Sequence, residues 1–461
     1  MKESGRRTPV TRSIMNTVQQ NTPFGIFTGT AHEGIHAFLG IPYGRAKRFE
    51  YCERIDTYSN EVNATEMGNS CPQYRQFYPH LDVRERLFYH KEFREGIPFH
   101  YDEDCLNLNI YAPEDAQNCP VIVYFHGGGF NSGSSAEEPF RVDELAKRGV
   151  ITVFANYRVG ILGYFSHEEI QKKYGRNGNF GLDDQVQAIR WVKEHIAAFG
   201  GDPNNITVMG QSAGAISMQY LCLNHDLNGL FQKAVLMSGG GKFPKMALPK
   251  QAEETYDYWQ LMMELAGCKT FEEFQRADLK VLHDAYENII KIRKDSINNM
   301  MPVIDGYLIK DEIGTLIQDP LELDYMIGYT NNDIYAPVLA YIGNRFAKDN
   351  GAYVYYFDID APGDDNNGAF HSCDLRYMFG RLQTSWRPYG QRDYEVSKEM
   401  MDYLANFVRS GNPNGAGLPQ WDAMNAKQNK VLCFRPKITE MGHPSYFKLT
   451  FNLFSKGDPK A

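Results

Sequence analysis

A serine stands between two glycines in Gly210-Gln211-Ser212-Ala213-Gly214, the spacing G-x-S-x-G. A serine hydroxyl is a weak nucleophile at neutral pH, so it matters chemically only if the backbone exposes it and a base can reach it. The flanking residues meet the first condition. Ile206-Thr207-Val208-Met209 is a short, β-branched apolar run suited to a buried parallel strand, and Ala215 to Leu221 suits a helix. Ser212 is therefore expected on a sharp strand-to-helix turn, with small neighbours because strand and helix nearly touch there. The chemistry such an elbow serves is acyl transfer through a covalent intermediate.

The base must be an imidazole, and the imidazole needs a carboxylate to fix its tautomer. Four histidines follow the elbow: His225, His283, His371 and His443. His371 comes after the strand-like run Ala352 to Phe357 and a turn-rich loop, Pro362 to Gly368, which puts it beyond a strand's carboxyl end. His225 sits too near the elbow helix, His283 falls among helical residues, and His443 lies in the tail. The acid should precede the histidine on a loop after a strand. Asp333 does so, following Asp324 to Gly328 through Tyr329-Thr330-Asn331-Asn332. Asp305, before Gly306 in a turn, and Asp374, three residues beyond His371, are its rivals. Asp374 is better placed to support the loop than to orient the ring.

A tetrahedral intermediate also needs amide donors aimed at its oxyanion, each worth on the order of 10²–10³ in kcat. His126-Gly127-Gly128-Gly129-Phe130 directly follows the strand Val121 to Phe125, so Gly128 and Gly129 can turn their N–H groups inward beside that of Ala213. No G-x-x-x-x-G-K-[ST] accompanies these glycines, which disfavours a phosphate cradle.

Elements must hold these residues together. Between 105 and 240, apolar strands at Leu106–Tyr111, Val121–Phe125, Thr152–Asn156, Ile206–Met209 and Ala234–Ser238 alternate with helical stretches, including one over Asp183–Phe199. This is the alternation of a parallel sheet flanked by helices, whose ligands bind beyond the strands' carboxyl ends. Residues 242–320 read as a helical lid, and strand signals return at Tyr325–Gly328 and Tyr353–Ile359. A helix through Met400, Leu404 and Phe407 should stop at Gly411-Asn412-Pro413.

With 461 residues, 43% of them hydrophobic, and no linker, repeat or low-complexity block, the chain reads as one catalytic domain over 21–461 behind a flexible polar tail, 1–20. A net charge of −9 disfavours nucleic acid and anionic membranes as partners. No apolar stretch approaches the roughly 20 residues of a membrane span, and no signal peptide opens the chain, so a cytoplasmic location is expected. Eight cysteines lack C-x-x-C spacing, which argues against a zinc or thioredoxin-like site. The sequons at Asn63 and Asn205 read as coincidental.

Together these motifs resemble the type-B carboxylesterase family, which includes bacterial esterases and the cholinesterases. The resemblance runs from Phe24 to Trp421. Besides the elbow and His-Gly-Gly-Gly-Phe it rests, in order, on Gly40-Ile41-Pro42-Tyr43, Glu103 to Tyr111, Asn156-Tyr157-Arg158-Val159-Gly160, Phe199-Gly200-Gly201-Asp202-Pro203 and Gly368-Ala369-Phe370-His371. It implies an α/β-hydrolase fold, a mostly parallel central sheet flanked by helices, and a serine carboxylesterase acting on a small-molecule ester without metal or cofactor. Ser212 is then the nucleophile, His371 the base, and Gly128, Gly129 and Ala213 the oxyanion donors. Asp333 takes the acid position, where family members usually carry glutamate. An amidase, a carbamate hydrolase or a non-catalytic binding member are the alternatives, the last opposed by the intact serine, histidine and acid.

The resemblance further implies ion pairs Arg48–Glu103 and Arg158–Asp184. Cys71 and Cys105 match positions bridged by a disulfide in secreted relatives; they are expected close, with the bond itself left open because a reducing compartment disfavours it. Only 38 residues separate Asp333 from His371, where many relatives carry a longer helical insert. A shortened lid, and with it an open pocket tolerant of bulky esters, is the expectation.

Overall fold

A strand buried on both faces reads as an unbroken apolar run, and the centre of this protein is built from such runs. The computed structural model describes residues 16–78, 84–141, 144–241, 248–333, 351–425 and 430–444. Its main strands are β1 (Asn16–Thr22), β2 (Gly25–His32), β3 (Ile35–Pro42), β4 (Asn107–Pro113), β5 (Cys119–Phe125), β6 (Ile151–Ala155), β7 (Gly201–Gln211), β8 (Lys233–Met237), β9 (Asp324–Thr330), β10 (Tyr353–Phe357), β11 (Val431–Phe434) and β12 (Thr439–Gly442). They form one sheet in the order β1-β2-β3-β4-β6-β5-β7-β8-β9-β10-β11-β12, with Val62–Asn63 added beside β2. From β6 to β11 every neighbour is parallel, while β1 to β4 and β12 close the two edges antiparallel.

Alternate residues of each central strand feed two cores. Val121, Val123, Phe125, Val208, Leu236 and Ile327 pack on one face of the sheet. Ile122, Tyr124, Met209, Val235, Met237 and Met326 pack on the other. Each such buried side chain contributes about 1.5–3 kcal/mol of transfer free energy, which explains why these strands carry no polar alternation.

The helices are α1 (Arg84–Phe93), α2 (Phe180–His195), α3 (Ala213–Cys222), α4 (Tyr256–Leu265), α5 (Leu279–Ile292), α6 (Asp374–Met378) and α7 (Gln391–Ser410); α2, α3 and α7 lie against the sheet, while α4 packs on α5 and α6 on α7. Leu182, Val186, Ile189 and Val192 give α2 an apolar stripe toward the first core, and Val396, Met400, Leu404 and Phe407 turn α7 toward the second. The expected stop after α7 is present: Gly411, at φ 78°, donates its N–H to Phe407 O at 2.7 Å. Among the described residues, no helix is long and apolar enough to cross a membrane.

β5 is the strand on which chain order reverses, since β6 lies on one side of it and β7 on the other. The carboxyl ends of β5 and β7 are therefore side by side, with Phe125 paired to Gly210. That juxtaposition brings the glycine-rich loop and the elbow together.

Three expectations need correction. Residues 16–20, read as tail, are the first part of β1, paired with β2 from Asn16↔Ala31 to Gln20↔Phe27; their half-exposed polar side chains hide a strand held by backbone bonds. β4 is antiparallel to both β3 and β6, although alternation alone suggested a parallel strand. The long helix of the elbow region ends at His195 and tightens into a 3₁₀ turn over Ile196–Phe199. Of the lid assigned to 242–320, residues 242–247 lie outside the described residues, as do 334–350 between the candidate acid and base.

Candidate active site

Ser212 joins β7 to α3 with φ 56° and ψ −123°, a conformation that serine rarely adopts. Crowding holds it there. A Cβ on Gly214 would stand 2.1 Å from Phe125 O, one on Gly210 2.4 Å from the Gly214 backbone, and one on Gly239 2.2 Å from Ser212 O. Ser212 N donates to Met237 O at 2.8 Å, which ties the turn to β8. Gly239 escaped the sequence reading because it lies beyond the pentapeptide.

His371 and Asp333 arrive from loops after β10 and β9. His371 Nδ1 lies 3.1 Å from Asp333 Oδ2; the carboxylate side chain is fully buried and the imidazole about one quarter exposed. Aspartate thus reaches the ring despite being one methylene shorter than the glutamate usual in the family. With Nδ1 donating to Asp333, Nε2 carries the lone pair, and the Gln211 amide Nε2 stands 3.2 Å from it. His371 Nε2 therefore faces the elbow. Gln211 was invisible in sequence because it occupies a free position of the motif.

The two loops are fastened to each other. Asn332 N donates to Ala369 O at 2.9 Å and its side chain to Asn367 O at 3.0 Å. Asn331 donates to Asp358 at 2.7 Å and accepts from Tyr356 Oη at 2.8 Å. Farther out, buried Arg387 grips Asp365 at 2.7 Å and the Pro362 carbonyl at 2.9 Å, while its Nε donates to Glu92 of α1 at 2.9 Å. These residues are far apart in the chain, so no local pattern could have named them.

Gly128 and Gly129 turn back above the elbow at φ 118° and 61°. Among the described residues neither of their N–H groups finds an acceptor. Ala213 is the first residue of α3, so its N–H is one of the orphan donors of a helix start. The glycine loop is pinned from below by Tyr157 Oη to His126 O at 2.8 Å and Gly160 N to Phe130 O at 2.7 Å.

The sequence pattern of the Carboxylesterase family matches residues 16–347 and 333–448. The chain belongs to the carboxylesterase family. It is a carboxylic ester hydrolase. It is 29% identical to carboxylesterase 5A of Felis catus, over 84% of each chain. It is 27% identical to the para-nitrobenzyl esterase of Bacillus subtilis, over 95% of this chain and 99% of that one. A thermophilic PNB esterase structure superposes with a TM-score of 0.81 at 24% identity, covering 94% of this chain and 99% of the other, which shows the α/β-hydrolase fold.

In this carboxylesterase the rival residues are engaged elsewhere. Asp305 Oδ1 accepts the N–H groups of Tyr307, Leu308 and Ile309 within its own turn. Asp374, fully buried, accepts Tyr355 Oη at 2.7 Å, and burial pushes its carboxyl up to about 6. His225 is half exposed and contacts the Asp319 carbonyl at 2.9 Å; His283 is buried in α5, where desolvation lowers its pKa to about 4. His443 lies at the far end of β12, where its carbonyl accepts from Arg435 at 3.0 Å.

Both implied ion pairs are present. Arg158 clasps Asp184 through two bonds of 2.8 and 2.7 Å and also donates to Glu50 O at 2.7 Å. Arg48 Nε lies 3.0 Å from Glu103. Cys71 and Cys105 are free, buried thiols, and a hydrogen bond with Cys71, reinforced by burial, holds Cys105 well above its usual range. Among the described residues, no cluster of His, Cys, Asp or Glu is arranged to hold a metal.

Proposed function

We propose that the protein hydrolyses small-molecule carboxylic esters through an acyl-enzyme on Ser212, with His371 as general base and acid and Asp333 as the group that orients it. The observation that carries this reading is the His371–Asp333 pair at 3.1 Å, with Nε2 turned to the elbow residue next to Ser212. The strained φ of Ser212 and the unaccepted Gly128 and Gly129 amides support it.

In the first half-reaction Ser212 Oγ bonds to the ester carbonyl carbon while its proton passes to His371 Nε2. The Gln211 amide nitrogen stands 3.2 Å from Nε2, and Ser212 Oγ must take its place there for the proton to pass. The carbonyl π electrons move onto oxygen, and the N–H groups of Gly128, Gly129 and Ala213 stabilise the oxyanion. Collapse breaks the bond to the alcohol oxygen, which leaves with the proton from His371. Water then attacks the acyl-serine by the same proton relay, and the acid product departs. Asp333 holds the ring through Nδ1 and stabilises the imidazolium.

The short Asp333–His371 connection supports a wide acyl or alcohol pocket. The test is p-nitrophenyl ester hydrolysis from acetate to decanoate with wild type and Ser212→Ala. Loss of turnover in the variant, with wild-type activity extending to long acyl chains, is the expected result. Equal rates in both proteins would overturn the serine mechanism. Cleavage of anilides or carbamates in preference to esters would move the assignment to an amidase or carbamate hydrolase, and activity confined to acetate and butyrate would overturn the wide pocket.

A further inference from the structure

The outer side of the glycine loop is held by the lid. Gly128 O accepts three donors: Asn131 N at 3.1 Å, Ser132 N at 3.1 Å and Ser132 Oγ at 3.2 Å. That carbonyl belongs to the same planar peptide unit as Gly129 N–H, and in a trans peptide the two point in opposite directions. Whatever fixes the carbonyl therefore aims the Gly129 amide. The two residues that fix it are themselves held from above. Asn131 Nδ2 donates to Tyr286 Oη of α5 at 2.9 Å, and Arg75 Nη2, from the one-turn helix Tyr74–Phe77, donates to Ser132 Oγ at 2.7 Å.

These anchors form one unit. Tyr286 is buried and packs edge-on against Tyr74, ring centroids 5.3 Å apart, and Tyr74 Oη is paired with Glu287, the next residue of α5. On its other side the Asn131 side chain lies close over Gly160, where a Cβ would stand 2.9 Å from its Oδ1. A hydroxyl on α5 is thus the outer clamp on a side chain wedged over the loop.

We propose that Tyr286 and Arg75 are positioning residues for the oxyanion amide of Gly129, so that α5 of the lid region and the Tyr74–Phe77 turn contribute to the rate of acyl transfer and not only to the walls of the pocket. This inference rests on the acyl-enzyme reading above. Neither residue touches the reacting atoms; each acts through Asn131 or Ser132. Loss of the clamp should weaken binding of the tetrahedral state more than binding of the ester.

The test compares Tyr286→Phe, Arg75→Met and Asn131→Ala with wild type, using p-nitrophenyl acetate and a trifluoromethyl ketone that adds to the serine as a hemiketal. For Tyr286→Phe, which keeps the ring, kcat should fall about five- to tenfold, as expected for one lost hydrogen bond, with KM nearly unchanged. Ketone affinity should fall by the same factor. Asn131→Ala should match that loss, and combining the two should add little. A higher KM at unchanged kcat, additive losses, or ketone affinity equal to wild type would overturn the proposal. Should Tyr286→Phe fail to fold, the Arg75→Met and Asn131→Ala comparison decides by the same split. Ser212→Ala is run alongside: full activity there would remove the acyl-enzyme reading and this inference with it, whereas an inactive Ser212→Ala beside an unimpaired Tyr286→Phe would remove only this inference.

Discussion

Asp333 Oδ2 lies 3.1 Å from His371 Nδ1, closing a contact between two loops whose residues are 38 positions apart. The bond sets the tautomer that leaves Nε2 as an acceptor. Asp333→Asn removes the carboxylate that steadies a protonated ring, and wherever its amide NH2 turns to Nδ1 the ring proton moves to Nε2 and proton acceptance there is lost. We expect kcat to fall on the order of 10³–10⁴ with the thermal midpoint little changed. A loss under tenfold in steady-state ester hydrolysis would show that another group orients the ring.

The elbow depends on the missing side chain of Gly214. Gly214→Ala would drive a methyl to 2.1 Å from Phe125 O, a backbone atom of a central strand that cannot yield cheaply. The expected cost is about 1–3 kcal/mol or more of stability, together with loss of activity. Gly149→Ala is the control: Gly149 has a positive φ, 72°, which Gly214 does not, and nothing lies within 4 Å of the new methyl. Chemical denaturation of both variants separates crowding from backbone strain, and equal losses would refute the crowding argument.

Asp374 should make stability fall as pH rises. Its carboxyl is raised to about 6 by burial, with the Asp333 charge adding to the effect and the Tyr355 hydrogen bond and His371 opposing it. Tyr124 and Cys373 also face it. A raised carboxyl is neutral at no cost below the unfolded pKa, and its contribution is lost as pH climbs through the folded value. Asp374→Asn, which can still accept from Tyr355, should therefore gain on wild type between pH 4 and 7 by on the order of 2–3 kcal/mol. Urea midpoints measured across that range check this, and a difference independent of pH would contradict it.

The buried pair Arg158–Asp184 should be costly to break and cheaper to remove. Side-chain exposures are 4% and 0%, so either partner alone would be a desolvated charge. Arg158→Met or Asp184→Asn is expected to lose about 3–5 kcal/mol, and the double variant less than the sum. Additive losses in a double-mutant cycle would show that the two side chains act independently.

Much of this site is legible in the sequence because its parts are local. The elbow needs its glycines within two residues of the serine, and the proposed oxyanion loop needs its glycines directly after a strand, so spacing alone carries both. The parallel strands are equally legible, since burial on two faces leaves an apolar run. β1 escaped because an edge strand is held by backbone pairing that polar, half-exposed residues satisfy equally well.

Only the tertiary structure decided which distant groups meet. Sequence left Asp305 and Asp374 beside Asp333 until family resemblance placed the acid, and what separates them physically is which loop reaches His371. The sheet order brings β9 and β10 side by side, and the Asn332 bonds to Ala369 and Asn367 then set the separation. The roles of Gln211, Arg387 and Tyr286 share this origin. Each makes a contact across more than a hundred residues, and a contact made by chain topology leaves no period, spacing or composition for a sequence to display.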